Sequence, residues 1–267
     1  MATTPAPKPK KLSLHKMVPN MITLTAMAAG MTSVKFAIAE RWEAAVLAIV
    51  VAAFMDAFDG AAARLLNAQT KLGAELDSFS DFLCFGMAPA MVLYLWALEG
   101  AGKWGWPVCL IFVMAVALRL SRFNIATEEK DPASPLAKFF TGVPSPIGAG
   151  LTLLPIICSL QVSEELQYWV HDPRLVGGWI LVVAAMMVSH IPTFSSKQIR
   201  IPYKMKVPAL GIFGILITVL INDPWPTLAL MGVAYLLSLP FAVRSYAQKE
   251  QAVKAGHREA DDHDSDE

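Results

Sequence analysis

Apolar residues run in long blocks over most of this chain, without the strict alternation of strands or the one-sided stripe of a surface helix. Blocks of roughly 17–25 such residues match the hydrocarbon thickness of a bilayer. Eight are read, at 17–39, 43–66, 73–98, 104–126, 144–161, 175–195, 207–222 and 226–243. Backbone groups in lipid must be satisfied within their own segment, so the spans are helices. The expected fold is all-α, a polytopic membrane helix bundle of about eight transmembrane helices. Residues 1–16 read as a Pro/Lys-rich N-terminal tail, 17–243 as the membrane domain, and 244–267 as a charged, solvated C-terminal tail.

Composition strengthens this reading. Hydrophobic residues are 55% and charged residues 16% of the chain, with a mean hydropathy of +0.48, where soluble domains carry roughly 25% charged residues. A soluble globular domain, a disordered chain and a nucleic-acid binder are all disfavoured. The first twenty residues lack the apolar core of a signal peptide. The three cysteines, Cys84, Cys109 and Cys158, sit in apolar runs without metal spacing and read as packing residues.

Net charge is zero, yet its distribution is uneven. With eight spans, all of the 22 Lys and Arg except Lys35, Arg41, Lys103 and Arg174 fall on one side of the membrane. That side is cytoplasmic by the positive-inside rule, which puts both termini there. The seven tryptophans fall near span ends on the opposite side, as an interfacial belt does.

Candidate chemistry concentrates in residues 55–82, MDAFDGAAARLLNAQTKLGAELDSFSDF. Asp56 and Asp59 share one face of the second span, and Gly60 and Ala63 leave that face free of large side chains. Arg64 follows at the cytoplasmic end. On the third span Gly73, Asp77 and Asp81 recur every four residues. A short connection folds the two helices into a hairpin, so the carboxylate stripes can face each other. Carboxylates gathered in this way repel unless cations join them. Oxygen-only ligands suit Mg²⁺ or Mn²⁺. Two such ions roughly 3.5–4 Å apart clamp a transferring phosphoryl group, and Arg64 suits a phosphate oxygen. On residue types alone, carboxylates paired for packing and an ion relay in a membrane transporter stay open beside this reading.

The segment resembles the signature of the CDP-alcohol phosphatidyltransferase family, DGxxAR…GxxxDxxxD with a further Asp three residues upstream. Asp56, Asp59, Gly60, Ala63, Arg64, Gly73, Asp77 and Asp81 stand at its positions. The resemblance implies a six-helix family core, here followed by two C-terminal helices. It implies that Asp56, Asp59, Asp77 and Asp81 hold two divalent ions, Mg²⁺ or Mn²⁺. Asp81 would deprotonate the attacking hydroxyl. Gly60, Ala63, Arg64, Gly73 and, more weakly, Thr70 would line the CDP-lipid site. A Pro-Asn-x-x-Thr element, matched by Pro19, Asn20 and Thr23, would add Asn20 and Thr23.

Further stretches are similar to the serine-accepting branch of that family: AELDSFSDFLCFGMAPA (74–90), ALRLSRFNIA (117–126), TGVPSPIGAG (141–150) and MVSHIPTFSSK (187–197). They imply transfer of a phosphatidyl group from CDP-diacylglycerol to the hydroxyl of L-serine, giving phosphatidylserine and CMP. Arg119, Arg122, Asn124, Ser145 and Lys138 are the candidate acceptor residues, with Arg119 or Arg122 suited to clamp a carboxylate bidentately. Ser145, between two prolines, reads more as a backbone-shaping residue than as a nucleophile. Choline, glycerol 3-phosphate or inositol phosphate is the alternative acceptor, and an ion-coupled transporter the alternative of another class. The resemblance also implies a homodimer in a bacterial inner membrane with a cytoplasmic active site.

Overall fold

The computed structural model describes residues 17–128, 139–189, 192–194, 206–241 and 244. Two long helices open it, α1 (Val18–Ile38) and α2 (Trp42–Leu65). They pack along their length through small buried residues, among them Ala26, Ala37, Ala45 and Ala52. Small side chains let helix backbones approach where no hydrophobic effect drives them together.

The third apolar segment is one span, Lys71–Trp96, in three parts. α3 (Lys71–Asp81) leads into a π-helical turn (Phe82–Met87), and α4 (Ala88–Trp96) completes it. Pro89 has no N–H to return to the carbonyl of Phe85, which removes an α-type bond at that place. π turns of this kind often border functional sites, and this one begins at the residue after Asp81. Cys84 within it donates to Ala26 O of α1 at 3.3 Å. A side chain at Gly30 would meet that sulfur at 2.6 Å, so α1 and the π turn are in close contact.

A 3-10 turn (Leu98–Trp104) leads into α5 (Gly105–Glu128), which packs mainly on a later helix, α9 (Pro173–Val188). Between them come a short strand β1 (Phe139–Thr141), α6 (Ser145–Thr152), α7 (Leu154–Ser159) and α8 (Glu164–Val170). The strand β2 (Pro192–Phe194) pairs antiparallel with β1, Phe140 opposite Thr193, and the other described elements are helical. Gly142 follows β1 with φ +83° and lies against the end of α9, where a side chain would meet Met187 O at 2.6 Å. Only glycine takes that conformation without strain. α10 (Lys206–Asn222) and a last helix, α11 (Pro224–Phe241), close the bundle.

Five described helices are long and apolar enough to cross a membrane, or six if the bent pair α8 and α9 is one span. The segment expected at 144–161 is broken at Leu153, whereas α10, with 17 residues, covers the segment expected at 207–222. Pro155 explains the break, because its ring clashes with the carbonyl of Leu151 and offers it no hydrogen. Trp179 Nε1 donates to that freed Leu151 carbonyl at 2.7 Å, the kind of compensation that a break at membrane depth requires. The sixth expected span ends at Val188 rather than at 195, since β2 begins at Pro192.

The buried core joins Leu93, Phe112, Val116, Leu151, Ile156, Ile180 and Met187 from α4 through α9. Large apolar side chains such as Ile38, Phe58, Leu118, Ile212 and Leu230 face outward. An apolar exterior around small buried polar groups is what a bilayer-embedded bundle requires. Those polar groups are satisfied locally: Ser33 donates to Gly30 O, Thr152 to Gly148 O and Ser159 to Ile156 O.

Candidate active site

The α2–α3 connection sets the site. Leu66 N bonds to Ala62 O and Ala68 N to Ala63 O, which carries the chain off the end of α2. Asn67 takes φ +49° there, a conformation that Asn tolerates better than most side chains. Thr70 then caps α3, its hydroxyl accepting from Gly73 N at 3.0 Å. This tight reversal brings the carboxylates of the two helices together.

One carboxylate oxygen from each of Asp56, Asp59 and Asp77 lies within 4.8 Å of the others. Asp59 is buried, Asp56 half-buried and Asp77 exposed. Asp81, one turn beyond Asp77, lies near enough to Asp56 and Asp77 for their charges to repel. Its Oδ1 is enclosed and has no hydrogen-bond partner. The carboxylates therefore gather with one another, which argues against a purely structural pairing with Lys or Arg. An acidic set with one enclosed, unpartnered oxygen fits hard divalent cations, which take oxygen ligands.

The N-terminal element joins this group from α1. Thr23 Oγ1 lies 2.5 Å from Asp59 Oδ2 and 3.1 Å from Pro19 O. A cleft of about 250 Å³ runs beside the carboxylates. Its walls include Asn20, Thr23, Asp59, Gly60, Ala63, Thr70, Gly73 and Asp77. A side chain at Gly73 would meet Asn20 Oδ1 at 2.9 Å and Thr70 Oγ1 at 3.1 Å, so that glycine keeps the cleft open. At Gly60 only Arg64 Nη1 is near, 3.6 Å from where a side chain would begin. The exposed Arg64 thus lies back along α2 beside Gly60.

The expected acceptor residues part company. Arg119, half-buried on α5, donates through Nη1 to the buried hydroxyl of Ser145 at the start of α6, while its Nε finds no partner. Its guanidinium is also close enough to act on the charge of Asp81. Ser145 thus holds Arg119. Arg122 donates to Val188 O at 2.8 Å, tying α5 to the end of α9. Asn124 Nδ2 donates to Ser78 Oγ at 3.1 Å, beside Asp77. Lys138 lies outside the described residues.

Comparison with known proteins agrees with this geometry. A family profile described as CDP-alcohol phosphatidyltransferase matches residues 16–189. The chain belongs to that family. A second profile, described as CDP-alcohol phosphatidyltransferase 2, matches residues 204–240. Membership in this phosphatidyltransferase family makes the chain an enzyme rather than a transporter. Among its relatives is the CDP-diacylglycerol–serine O-phosphatidyltransferase of Mycobacterium tuberculosis, 32% identical over 86% of this chain and 79% of that one. The protein of the same name in Mycobacterium leprae is 29% identical over 96% of this chain and 83% of that one. The Helicobacter pylori protein of that name is 31% identical over 73% of this chain and 78% of that one.

Motif reading missed one polar group near the site. Tyr235 on α11 has a buried hydroxyl without a partner. The signal in the sequence was a hydroxyl-bearing ring within an apolar span, a group that seeks a partner when buried.

Proposed function

We propose that this membrane enzyme transfers the phosphatidyl group of CDP-diacylglycerol to the hydroxyl of L-serine, giving phosphatidylserine and CMP. The observation that carries the chemistry is the convergence of Asp56, Asp59, Asp77 and Asp81 beside a cleft of nucleotide-head-group scale. The activity for which the mycobacterial and Helicobacter relatives are named supports serine as acceptor.

In this reading CDP lies in the cleft against Asn20, Gly60, Ala63 and Gly73, with Arg64 on a phosphate oxygen. The acyl chains occupy an apolar cavity of about 440 Å³ lined by Phe54, Ala57, Phe85 and Ile147. Asp81 accepts the proton of the serine hydroxyl as its oxygen attacks the lipid-linked phosphorus. The bond from that phosphorus to the bridging pyrophosphate oxygen breaks, and CMP leaves. Asp56, Asp59, Asp77 and Asp81 are the residues that would hold two Mg²⁺ or Mn²⁺ ions, which when bound neutralise charge on the pyrophosphate and acidify the hydroxyl. Arg119 pairs with the serine carboxylate. The working unit is a homodimer in a bacterial inner membrane, with the site facing the cytoplasm. With eight spans, the one-sided Lys and Arg distribution supports that orientation.

The test is CMP release by purified protein in detergent with CDP-diacylglycerol and Mg²⁺ or Mn²⁺. Serine, choline, glycerol 3-phosphate and inositol phosphate are supplied in separate reactions, each repeated with EDTA. Release with serine alone, abolished by EDTA, is expected. Release with another alcohol overturns the acceptor, and release that survives EDTA overturns the metal.

A further inference from the structure

Among the described residues, three buried side-chain polar atoms have no hydrogen-bond partner: Asp81 Oδ1, Arg119 Nε and Tyr235 Oη. They come from three separate helices, α3, α5 and α11. Arg119 links them: it donates to Ser145, whose neighbour Pro146 lines the same cavity as Tyr235, and its charge acts on both Asp81 and Tyr235. Buried polar groups are normally paired, and an unpaired group calls for an explanation. Three orphans grouped around one guanidinium share a simple one, namely a ligand that pairs with all of them.

The chemistry of the three atoms specifies that ligand. A carboxylate oxygen accepts from a hydroxyl. A guanidinium N–H and a phenol O–H both donate to an anion. Ser145 already holds Arg119 Nη1, so the fork is fixed in place while Nε stays unpaired. Tyr235 stands at a boundary, since its ring lines the apolar cavity together with Phe54, Phe85 and Met231. The aspartate signature does not include it: Tyr235 lies outside the first family match and within the second.

We propose that Tyr235 is an acceptor-specificity residue: its hydroxyl and Arg119 Nε together receive the carboxylate of a small hydroxy-amino acid whose own hydroxyl lies against Asp81. The inference rests on the function proposed above and deepens it. The last helix thereby completes the acceptor side of the site, and the enzyme selects for a carboxylate rather than for any small alcohol.

The experiment compares L-serine with serinol, which keeps the hydroxyl and the amine and lacks the carboxylate. CMP release is measured with the unaltered chain, Tyr235→Phe and Tyr235→Met, and thermal unfolding in detergent is followed for each. The unaltered chain is expected to prefer serine strongly. Tyr235→Phe is expected to raise the KM for serine by about 10- to 100-fold, the worth of one hydrogen bond to a charged group. The KM for CDP-diacylglycerol stays unchanged, and the preference for serine over serinol shrinks by the same factor. Tyr235→Met removes the same hydroxyl with different packing and is expected to lose the same selectivity. An unchanged serine KM overturns the inference, as does an equal loss for both acceptors or a change confined to CDP-diacylglycerol. If the unaltered chain uses glycerol 3-phosphate and not serine, the proposed function itself fails and this inference with it. If the unaltered chain uses serine and both variants keep its selectivity, only the inference fails.

Discussion

Thr23 Oγ1 lies 2.5 Å from Asp59 Oδ2, joining the first helix to the second across 36 residues of chain. The hydroxyl holds the carboxylate that gathers with those of Asp56 and Asp77. Groups that orient metal ligands in this way typically change affinity or activity by about 10- to 100-fold when removed. Thr23→Val is therefore expected to raise the Mg²⁺ or Mn²⁺ concentration giving half-maximal CMP release by that factor. Thr23→Ser, which keeps the hydroxyl, is expected to stay near the unaltered value. A metal titration of both variants checks this, and equal curves would remove Thr23 from the support of Asp59.

Asp81 differs from the other three carboxylates, because its Oδ1 is enclosed and unpaired. Asp81→Asn is expected to lower turnover by about 10²- to 10⁴-fold, the usual worth of a positioned general base. Binding of CDP-diacylglycerol, followed with a radiolabelled or fluorescent donor, is expected to persist. Full turnover in the variant would assign proton removal to another group.

Gly73 keeps its place through its neighbours. A methyl group there would lie 2.9 Å from Asn20 Oδ1 and 3.1 Å from Thr70 Oγ1. Gly73→Ala is expected to raise the KM for CDP-diacylglycerol by about tenfold or more, with the serine KM little changed, because one of the polar neighbours must shift into the cleft. The double variant Gly73→Ala/Asn20→Ala relieves the closer contact. In a double-mutant cycle its loss is expected to be smaller than the sum of the two single losses. Strict additivity would mean that the two residues do not meet.

Arg119 and Arg122 stand three residues apart and hold different partners. The first donates to Ser145 and the second to the Val188 carbonyl. Arg119→Ala is expected to raise the KM for serine by about tenfold or more, the loss of a charge-assisted contact. Arg122→Ala is expected to act more through stability, lowering the unfolding temperature by a few degrees as the α5–α9 tie is lost. A serine KM that rises more in Arg122→Ala than in Arg119→Ala would exchange the two assignments.

The sequence alone determined the membrane class, the helical fold and the aspartate stripes. These depend on periodicity within single segments. An apolar block of bilayer length has few structural solutions, and carboxylates spaced by three or four residues share a helix face wherever the helix sits. The short link between α2 and α3 then required the stripes to meet, as Asp56, Asp59 and Asp77 do.

Contacts between distant segments were decided only by the tertiary structure. Nothing local in ALRLSRFNIA tells Arg119, which meets Ser145, from Arg122, which meets Val188. The break at Leu153 is foreseeable from Pro155, but its repair by Trp179 is not. Gly73 is a signature glycine whose reason lies on another helix, at Asn20. Tyr235 is 116 residues from Arg119 and is an ordinary apolar-span tyrosine until packing brings the two together. Helical periodicity is written in neighbouring residues, whereas the partner of a buried polar group depends on which faces pack, and that is a property of the whole bundle.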